Sequence, residues 1–147
     1  MIKSISVTKK SINSLKTELF ITSLFKNANI SKLQKDITSD LNSNLNLESA
    51  IKLSKFKGKF GNNISLFIND NINRIALFGM GDKNKLKSDN IRDLSAKIIQ
   101  YAKSLKIDNI LIDGSSFQLK NEKYCQPFIE GLILGSYEFN EYKTEIK

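Results

Sequence analysis

Residues 74–114, "RIALFGMGDKNKLKSDNIRDLSAKIIQYAKSLKIDNILIDG", decide the fold of this 147-residue chain. The first part, 74–78, is almost continuously apolar, which is typical of a strand buried on both faces of a sheet. Apolar residues then recur every three or four positions over 88–105, with Ser88 as the expected N-cap, and predict an amphipathic helix. A second apolar run, 109–113, predicts another buried strand. This order predicts a right-handed crossover that joins two parallel strands.

The segments around this unit predict a mixed sheet covered by helices. Two N-terminal segments, 2–7 and 18–25, are rich in β-branched and aromatic residues and are predicted to be strands. Residues 64–68 and 74–78 are predicted to form a hairpin, because the Asn and Asp residues between them favour a turn. Helices are predicted at 30–41, at 48–56 and from about Pro127 onward. We therefore expect an α/β fold with helices on both faces of the sheet, in which the N-terminal strands and the hairpin add antiparallel pairs.

The composition excludes several classes of enzyme and indicates a cytoplasmic protein. The chain has no histidine, which excludes Ser-His-Asp and Cys-His catalysis, His-x-x-x-His zinc sites and three-His zinc sites. Its one cysteine, Cys125, cannot form an internal disulfide. The sequence contains no run of about 18 apolar residues, and its first ten residues do not resemble a secretory signal. We therefore expect a cytoplasmic protein without a membrane partner.

The net charge of +8 leaves two interpretations open. The chain has 23 lysines and arginines against 15 acidic residues, and such an excess can indicate a nucleic-acid partner. Only Arg74 and Arg92 are arginines, so the fork-shaped group that usually reads phosphates and bases is scarce. Two alternating sets of lysines stand out, at 55, 57 and 59 and at 83, 85 and 87. They form either a basic patch for phosphates or an ordinary solvated face.

Two loops are expected at the carboxyl edge of the parallel strands, where α/β proteins bind ligands. Their candidate pocket residues are Gly79, Met80, Gly81, Asp82, Gly114, Ser115 and Ser116. The first loop resembles part of a dinucleotide-binding fingerprint, but Asn84 replaces its third glycine. The alternative is that these glycines only turn the chain after a central strand.

The closing segment 130–143, "EGLILGSYEFNEYK", contains a second set of candidates. The helix is apolar on almost all sides, which predicts that it is buried on more than one side. Each glycine inside a helix costs about 1 kcal/mol relative to alanine, which is tolerable where another backbone comes close, and these glycines are expected to let the helix pack closely on its own sheet. Aromatic side chains released at the end of a domain normally bury against something. The candidate packing and interdomain residues are Gly131, Gly135, Tyr137, Phe139 and Tyr142.

This closing segment resembles the end of the N-terminal domain of the leucyl (cytosol) aminopeptidases, which carries a Glu-Gly-Leu-x-Leu-Gly-x-Tyr-x-Phe pattern followed by Tyr-Lys. In the strand that ends in Gly-Leu-Gly-Lys in that family, Met80 replaces the leucine and Asp82 is inserted before the lysine. The resemblance covers essentially the whole chain, in three further stretches of the same order and spacing: 56–61, 74–86 and 90–112.

The resemblance implies a macro-domain-like, three-layer α/β/α fold without catalytic or metal-binding residues of its own. In this family a separate C-terminal domain holds two divalent metals, zinc or manganese, and carries an Asn-Thr-Asp-Ala-Glu-Gly-Arg signature. That signature does not occur in this sequence. The implied parent is a cytoplasmic, homohexameric metallopeptidase, and the implied role of this domain is in assembly and access to the active site.

The resemblance also implies a domain limit and two alternative functions. Residues 1–139 would form the domain, and 140–147 would begin a linker to an absent catalytic domain. In the isolated chain, residues after about Phe139 are then predicted to be poorly packed or to bury their aromatic side chains against a neighbouring molecule. The first alternative is a module that binds ADP-ribose or a related nucleotide. The second is an accessory domain that binds DNA, because in some bacterial members of the family this N-terminal half takes part in DNA binding.

Overall fold

A computed structural model describes residues 5, 16–32, 35, 47–67 and 72–146; the side chains of 47, 48 and 137–146 are outside that description. Among these residues the strands are β1 (Thr17–Leu24), β2 (Asn63–Phe67), β3 (Ile72–Gly79) and β4 (Ile110–Ile112). The helices are α1 (Leu47–Ser54), α2 (Ser88–Ser104) and α3 (Glu122–Ile146). Residues 30–32 and 35 are also helical, in agreement with the described part of the helix predicted at 30–41. The predicted strand 2–7 lies outside the described residues.

The strands form a mixed sheet in the order β2-β3-β1-β4. The predicted hairpin is confirmed, since β2 and β3 pair antiparallel. β1 pairs parallel with both β3 and β4, with Ile21 opposite Ala76 on one side and Ile112 on the other. The antiparallel pairing expected for this N-terminal strand is therefore wrong. The chain does not return from β1 by a tight turn but through a long connection with α1, and such connections can deliver strands that run parallel.

The crossover β3-α2-β4 joins parallel strands, as predicted, but β1 lies between them. β1 is the strand best suited to this central place, because all of its residues except Glu18 are buried. A strand that is buried on both faces belongs inside a parallel sheet rather than at its edge.

Helices cover both faces of the sheet, which confirms the α/β fold class. Successive residues of a strand point to opposite faces. Leu19 and Ile21 of β1 belong to the apolar cluster under α2 and α3, whereas Phe20 belongs to the cluster that contains Ile51 of α1 and the following Phe56. The sheet is thus the middle of three layers.

The first turns of α2 and α3 differ from the sequence expectation and are linked to each other. Ser88 is the first helical residue and not the N-cap, because Lys87 occupies that place and its N–H donates to Asn90 Oδ1 at 2.9 Å. α3 begins at Glu122, so Pro127 lies inside the helix rather than at its start. Proline has no N–H to donate to the carbonyl of Lys123 four residues earlier. The Ser88 hydroxyl donates to that carbonyl at 3.3 Å, which explains how the proline is tolerated.

Candidate functional site

The first predicted loop, Gly79–Asp82, is interlocked with two other chain segments at the carboxyl ends of β1 and β3. Three of its backbone N–H groups donate to carbonyl groups of these segments: Gly79 to Asn62 at 2.8 Å, Met80 to Leu24 at 2.9 Å and Gly81 to Gly58 at 2.9 Å. The Gly81 carbonyl in turn accepts from the N–H of Lys26 at 2.9 Å. We call segments 24–28, 56–62 and 79–82 the interlocked loops. Amides that a phosphate-binding loop would offer to a ligand are used here to hold the chain together.

The glycines of this loop provide room for the neighbouring chain. A Cβ atom at Gly79 would lie 2.6 Å from the carbonyl carbon of Gly58. At Gly81, where φ is +70°, a Cβ atom would lie 3.2 Å from Phe60 Cβ. Met80 is 1% exposed, and its sulfur accepts a hydrogen bond from the Ser23 hydroxyl at 3.1 Å. Its side chain therefore belongs to the core. This arrangement supports the alternative reading, in which the glycines turn and pack the chain.

Gly79→Ala is expected to lower the free energy of unfolding by about 1–3 kcal/mol, the usual cost of forcing an extra carbon into a packed site. The added methyl group would press on the Gly58 carbonyl, which belongs to the backbone and has little room to move. Urea unfolding measures the loss. The matched control is Ser65→Ala on the exposed side of β2, which should change stability by less than about 0.5 kcal/mol. Equal effects of the two variants would contradict the close approach of the loops.

The second predicted loop begins at Gly114, after β4, and is stabilised by its own turn. The Ser116 hydroxyl donates to the Asp113 carbonyl at 2.9 Å, and the Thr22 hydroxyl donates to the Asp113 carboxylate at 3.0 Å. Gly114 and Ser115 accept backbone bonds from Leu119 and Gln118. Because β1 lies between β3 and β4, the two predicted loops are about two strand spacings, or roughly 10 Å, apart. The structure therefore separates the predicted pocket into two parts on either side of β1.

Lysines gather around the interlocked loops. All members of the two alternating sets lie within or next to these loops, and Lys26 lies within the first of them. The exposed lysines of this region are Lys26, Lys55, Lys57, Lys59, Lys83, Lys85 and Lys87. Asp82 lies 3.6 Å from Lys85 and offsets one of these charges. Sequence reasoning found the two lysine sets but not Lys26, because its place beside them follows from the pairing of β1 with β3.

The described residues do not supply a metal centre. Among them, no group of three or more His, Cys, Asp or Glu side chains is placed to hold a metal ion. Asp113 accepts a hydrogen bond from Thr22, and Asp82 pairs with Lys85. In the same part of the chain, no helix is long and apolar enough to cross a membrane.

Gly131 and Gly135 lie on α3 where it packs against α2, so the expected packing of these glycines on the sheet is wrong. A Cβ atom at Gly131 would collide with Ser95 Oγ and with the backbone carbonyl of Arg92, and one at Gly135 would lie 2.9 Å from the Ala96 backbone. Next to this contact the Arg92 guanidinium bridges the helices, at 3.4 Å from Glu130 and 2.8 Å from Asp89. Hydrogen bonds to these carboxylates, first that to Glu130, raise the pKa of Arg92 above its ordinary value. The glycines therefore permit a close parallel packing of two helices.

Tyr137, Phe139 and Tyr142 lie on the second half of α3, and their side chains are outside the description, so their burial stays a prediction. The helix continues through position 139 to Ile146, across the predicted domain limit. Contacts pair position 88 with 123 and 99 with 135, so the last six or seven residues of α3 extend beyond the end of α2. The limit itself also stays a prediction.

The prediction that this helix is buried on more than one side is wrong for three apolar residues that α3 exposes: Ile129, Ile133 and Leu134. Their spacing contains a usable signal, because they lie away from Phe128 and Leu132 when the segment is drawn as a helix. The segment is apolar on nearly all sides, and this obscured which face points inward.

A family model and the relatives found by sequence comparison all indicate the same family. A family model described as "Cytosol aminopeptidase family, N-terminal domain" matches residues 21–145. A probable cytosol aminopeptidase of a Sulfurihydrogenibium species is 32% identical over 142 residues, which cover 94% of this chain and 28% of that protein. One from Clostridium perfringens is 32% identical over 111 residues, or 74% of this chain and 22% of that protein.

A solved structure shows the same fold. A mutant of tomato leucine aminopeptidase superposes with a TM-score of 0.65 at 24% identity, over 88% of this chain and 27% of that one. The chain thus spans less than a third of the length of the relatives it matches.

Proposed function

The chain belongs to the cytosol aminopeptidase family, in its N-terminal domain, and from this premise we propose that it is the non-catalytic accessory domain of a longer leucyl aminopeptidase. The observation that carries the proposal is the match of the family's N-terminal domain to residues 21–145. The interlocked loops support the proposal, because they pack against one another at the carboxyl edge of the sheet, where α/β proteins usually bind a ligand.

In this proposal the parent enzyme works in the cytoplasm and releases N-terminal residues such as leucine from peptides. Its catalytic region follows this domain and binds two divalent metals, zinc or manganese, which activate water and polarise the peptide carbonyl. The described residues of this chain do not fit such a pair, since their carboxylates are not gathered into a cluster. The role proposed for this domain is assembly of a homohexamer and control of access to the active site.

The 147-residue chain alone is expected not to hydrolyse leucine p-nitroanilide with added manganese, whereas the longer protein that continues after Lys147 hydrolyses it. The measurement is release of p-nitroaniline at matched protein concentration. Hydrolysis by the short chain would overturn the assignment of a non-catalytic role. An inactive longer protein would overturn the proposed parent activity.

The nucleotide-binding alternative is tested by calorimetry with ADP-ribose. The interlocked loops leave the amides of Gly79, Met80 and Gly81 engaged with carbonyl groups, so we expect no heat of binding at millimolar ligand. Saturable binding, weakened by substitution of Ser115 or Ser116, would restore the alternative.

A DNA-binding role is a second candidate, supported by the lysines gathered around the interlocked loops. Binding through these lysines requires a steep loss of affinity with salt, with a log–log slope of about −0.9 for each phosphate contact. A variant with Lys57, Lys59, Lys83 and Lys85 changed to alanine should flatten that slope. The control for a double change of Lys57 and Lys83 is a double change of Lys16 and Lys106, which are exposed near the amino ends of β1 and β4. Absence of binding at low salt would remove this candidate.

A further inference from the structure

The outward side of α3 carries an apolar patch. Ile129, Ile133 and Leu134 are 36, 39 and 49% exposed, whereas Phe128 and Leu132 of the same helix are buried. We call these three residues the outer face of α3. Single exposed apolar residues are normal on a protein surface, but a contiguous group on one helix indicates an interaction site.

We propose that the outer face of α3 is the docking surface for the catalytic region that follows this domain in the longer peptidase, an inference that rests on the proposed function. The family model describes an N-terminal domain and ends its match at residue 145, one residue before the end of α3. More than two thirds of each matched relative lies outside the match. In such a protein the following polypeptide starts beyond the C-terminal end of α3, about 18 Å along the helix from Leu134 at a rise of about 1.5 Å per residue, a distance that a following domain can span.

The covalent connection between the two regions favours the catalytic region, rather than a second copy of the chain, as the partner of the outer face. A covalent connection through α3 places the following region at an effective concentration in the millimolar range, so a small apolar contact suffices to hold it. A stable contact between separate copies usually buries about 800 Å² on each partner. Three side chains that are half exposed or less fall well short of that area. Two copies of net charge +8 also repel each other.

The packing of α3 makes it a suitable platform for such a contact. Gly131 and Gly135 hold it tightly against α2, and Arg92 bridges the two helices through Glu130. The inner side of the helix is therefore committed to the domain. A partner that covers the outer face would meet a rigid helix, which limits the loss of conformational entropy on docking.

Cysteine labelling tests the contact directly. Leu134→Cys, in a Cys125→Ser background, is prepared both in the 147-residue chain and in the longer protein. Reaction with a maleimide is followed at this site by peptide mass spectrometry. We expect labelling to be at least about tenfold slower in the longer protein, because the docked region must open before the thiol reacts. The matched control is Leu53→Cys on α1, which is 84% exposed and should react equally fast in both proteins.

Equal labelling of Leu134→Cys in both proteins would overturn the inference. Slow labelling of the 147-residue chain that depends on its concentration would also overturn it and would identify a second copy as the occupant. Peptidase activity of the same longer protein is measured in parallel. An active but unprotected protein removes only the docking surface, whereas a protected but inactive protein removes only the proposed activity.

Discussion

Phe128→Ala is expected to lower the free energy of unfolding by about 3–5 kcal/mol, the usual cost of removing a large buried aromatic side chain. Phe128 is 1% exposed, and its ring centroid lies 5.1 Å from that of Phe117, which is fully buried. These rings lie in the apolar layer between the two helices and the sheet. Removal of one ring therefore leaves a buried cavity that side chains on the surface cannot fill. Since small domains are stable by about 5–15 kcal/mol, the variant should lose a large part of its stability. Urea unfolding with fitted m values measures the change.

The matched control is Phe67→Ala on β2, the outermost of the strands that the structure describes on this side of the sheet. Phe67 is 77% exposed, and its main contact is the Arg74 guanidinium, 4.5 Å from the ring centroid. Loss of such an exposed cation–π contact costs about 0.5–1 kcal/mol. Similar losses from the two variants would show that Phe128 does not anchor α3 in the core.

Gly131→Leu is expected to destabilise the chain by about 3 kcal/mol or more, since overpacking typically costs 1–3 kcal/mol and here meets rigid backbone. Even the first added carbon would collide with the Arg92 carbonyl and Ser95 Oγ. α2 and α3 must therefore separate, which also loosens their contact with the sheet. Thermal unfolding followed by circular dichroism measures the loss.

Helix propensity acts in the opposite direction, which makes this result diagnostic. Leucine is favoured over glycine in a helix by up to about 1 kcal/mol, so a measured loss understates the cost of the collision. The matched control, Ile133→Leu on the outer face of the same helix, should change stability by less than about 0.5 kcal/mol. A Gly131→Leu variant as stable as the control would contradict the close approach of the two helices.

Local patterns in the sequence predicted much of the fold because each depends on near neighbours in the chain. The apolar spacing over 88–105 predicted α2 almost to the residue, and the polar break between two apolar runs predicted the β2–β3 hairpin. The start of α3 was wrong for a reason that is not local. Pro127 is accepted inside the helix because the Ser88 hydroxyl, 35 residues earlier than Lys123, satisfies the carbonyl that proline leaves free.

The candidate site was only partly predictable for the same reason. The sequence indicated that Gly79 and Gly81 follow a strand, but glycines in that place serve equally to bind a phosphate or to admit another chain segment. The second role follows from the contact of Gly58 with this loop. Likewise, the two glycines of α3 indicated a close backbone contact, but the partner expected was the sheet, and the structure shows that it is α2.

The sequence by itself determined most elements of this protein, the face that α2 buries and the family resemblance, because periodicities of 2 and 3.6 residues are properties of a single segment. The tertiary structure decided which elements are neighbours: β1 between β3 and β4, the interlocked loops over the sheet edge, and α3 against α2. Which elements become neighbours depends on contacts between residues far apart in the chain. A local sequence pattern contains no information about such contacts. The inward side of α3 is therefore committed by packing, and its outer face is left for a partner.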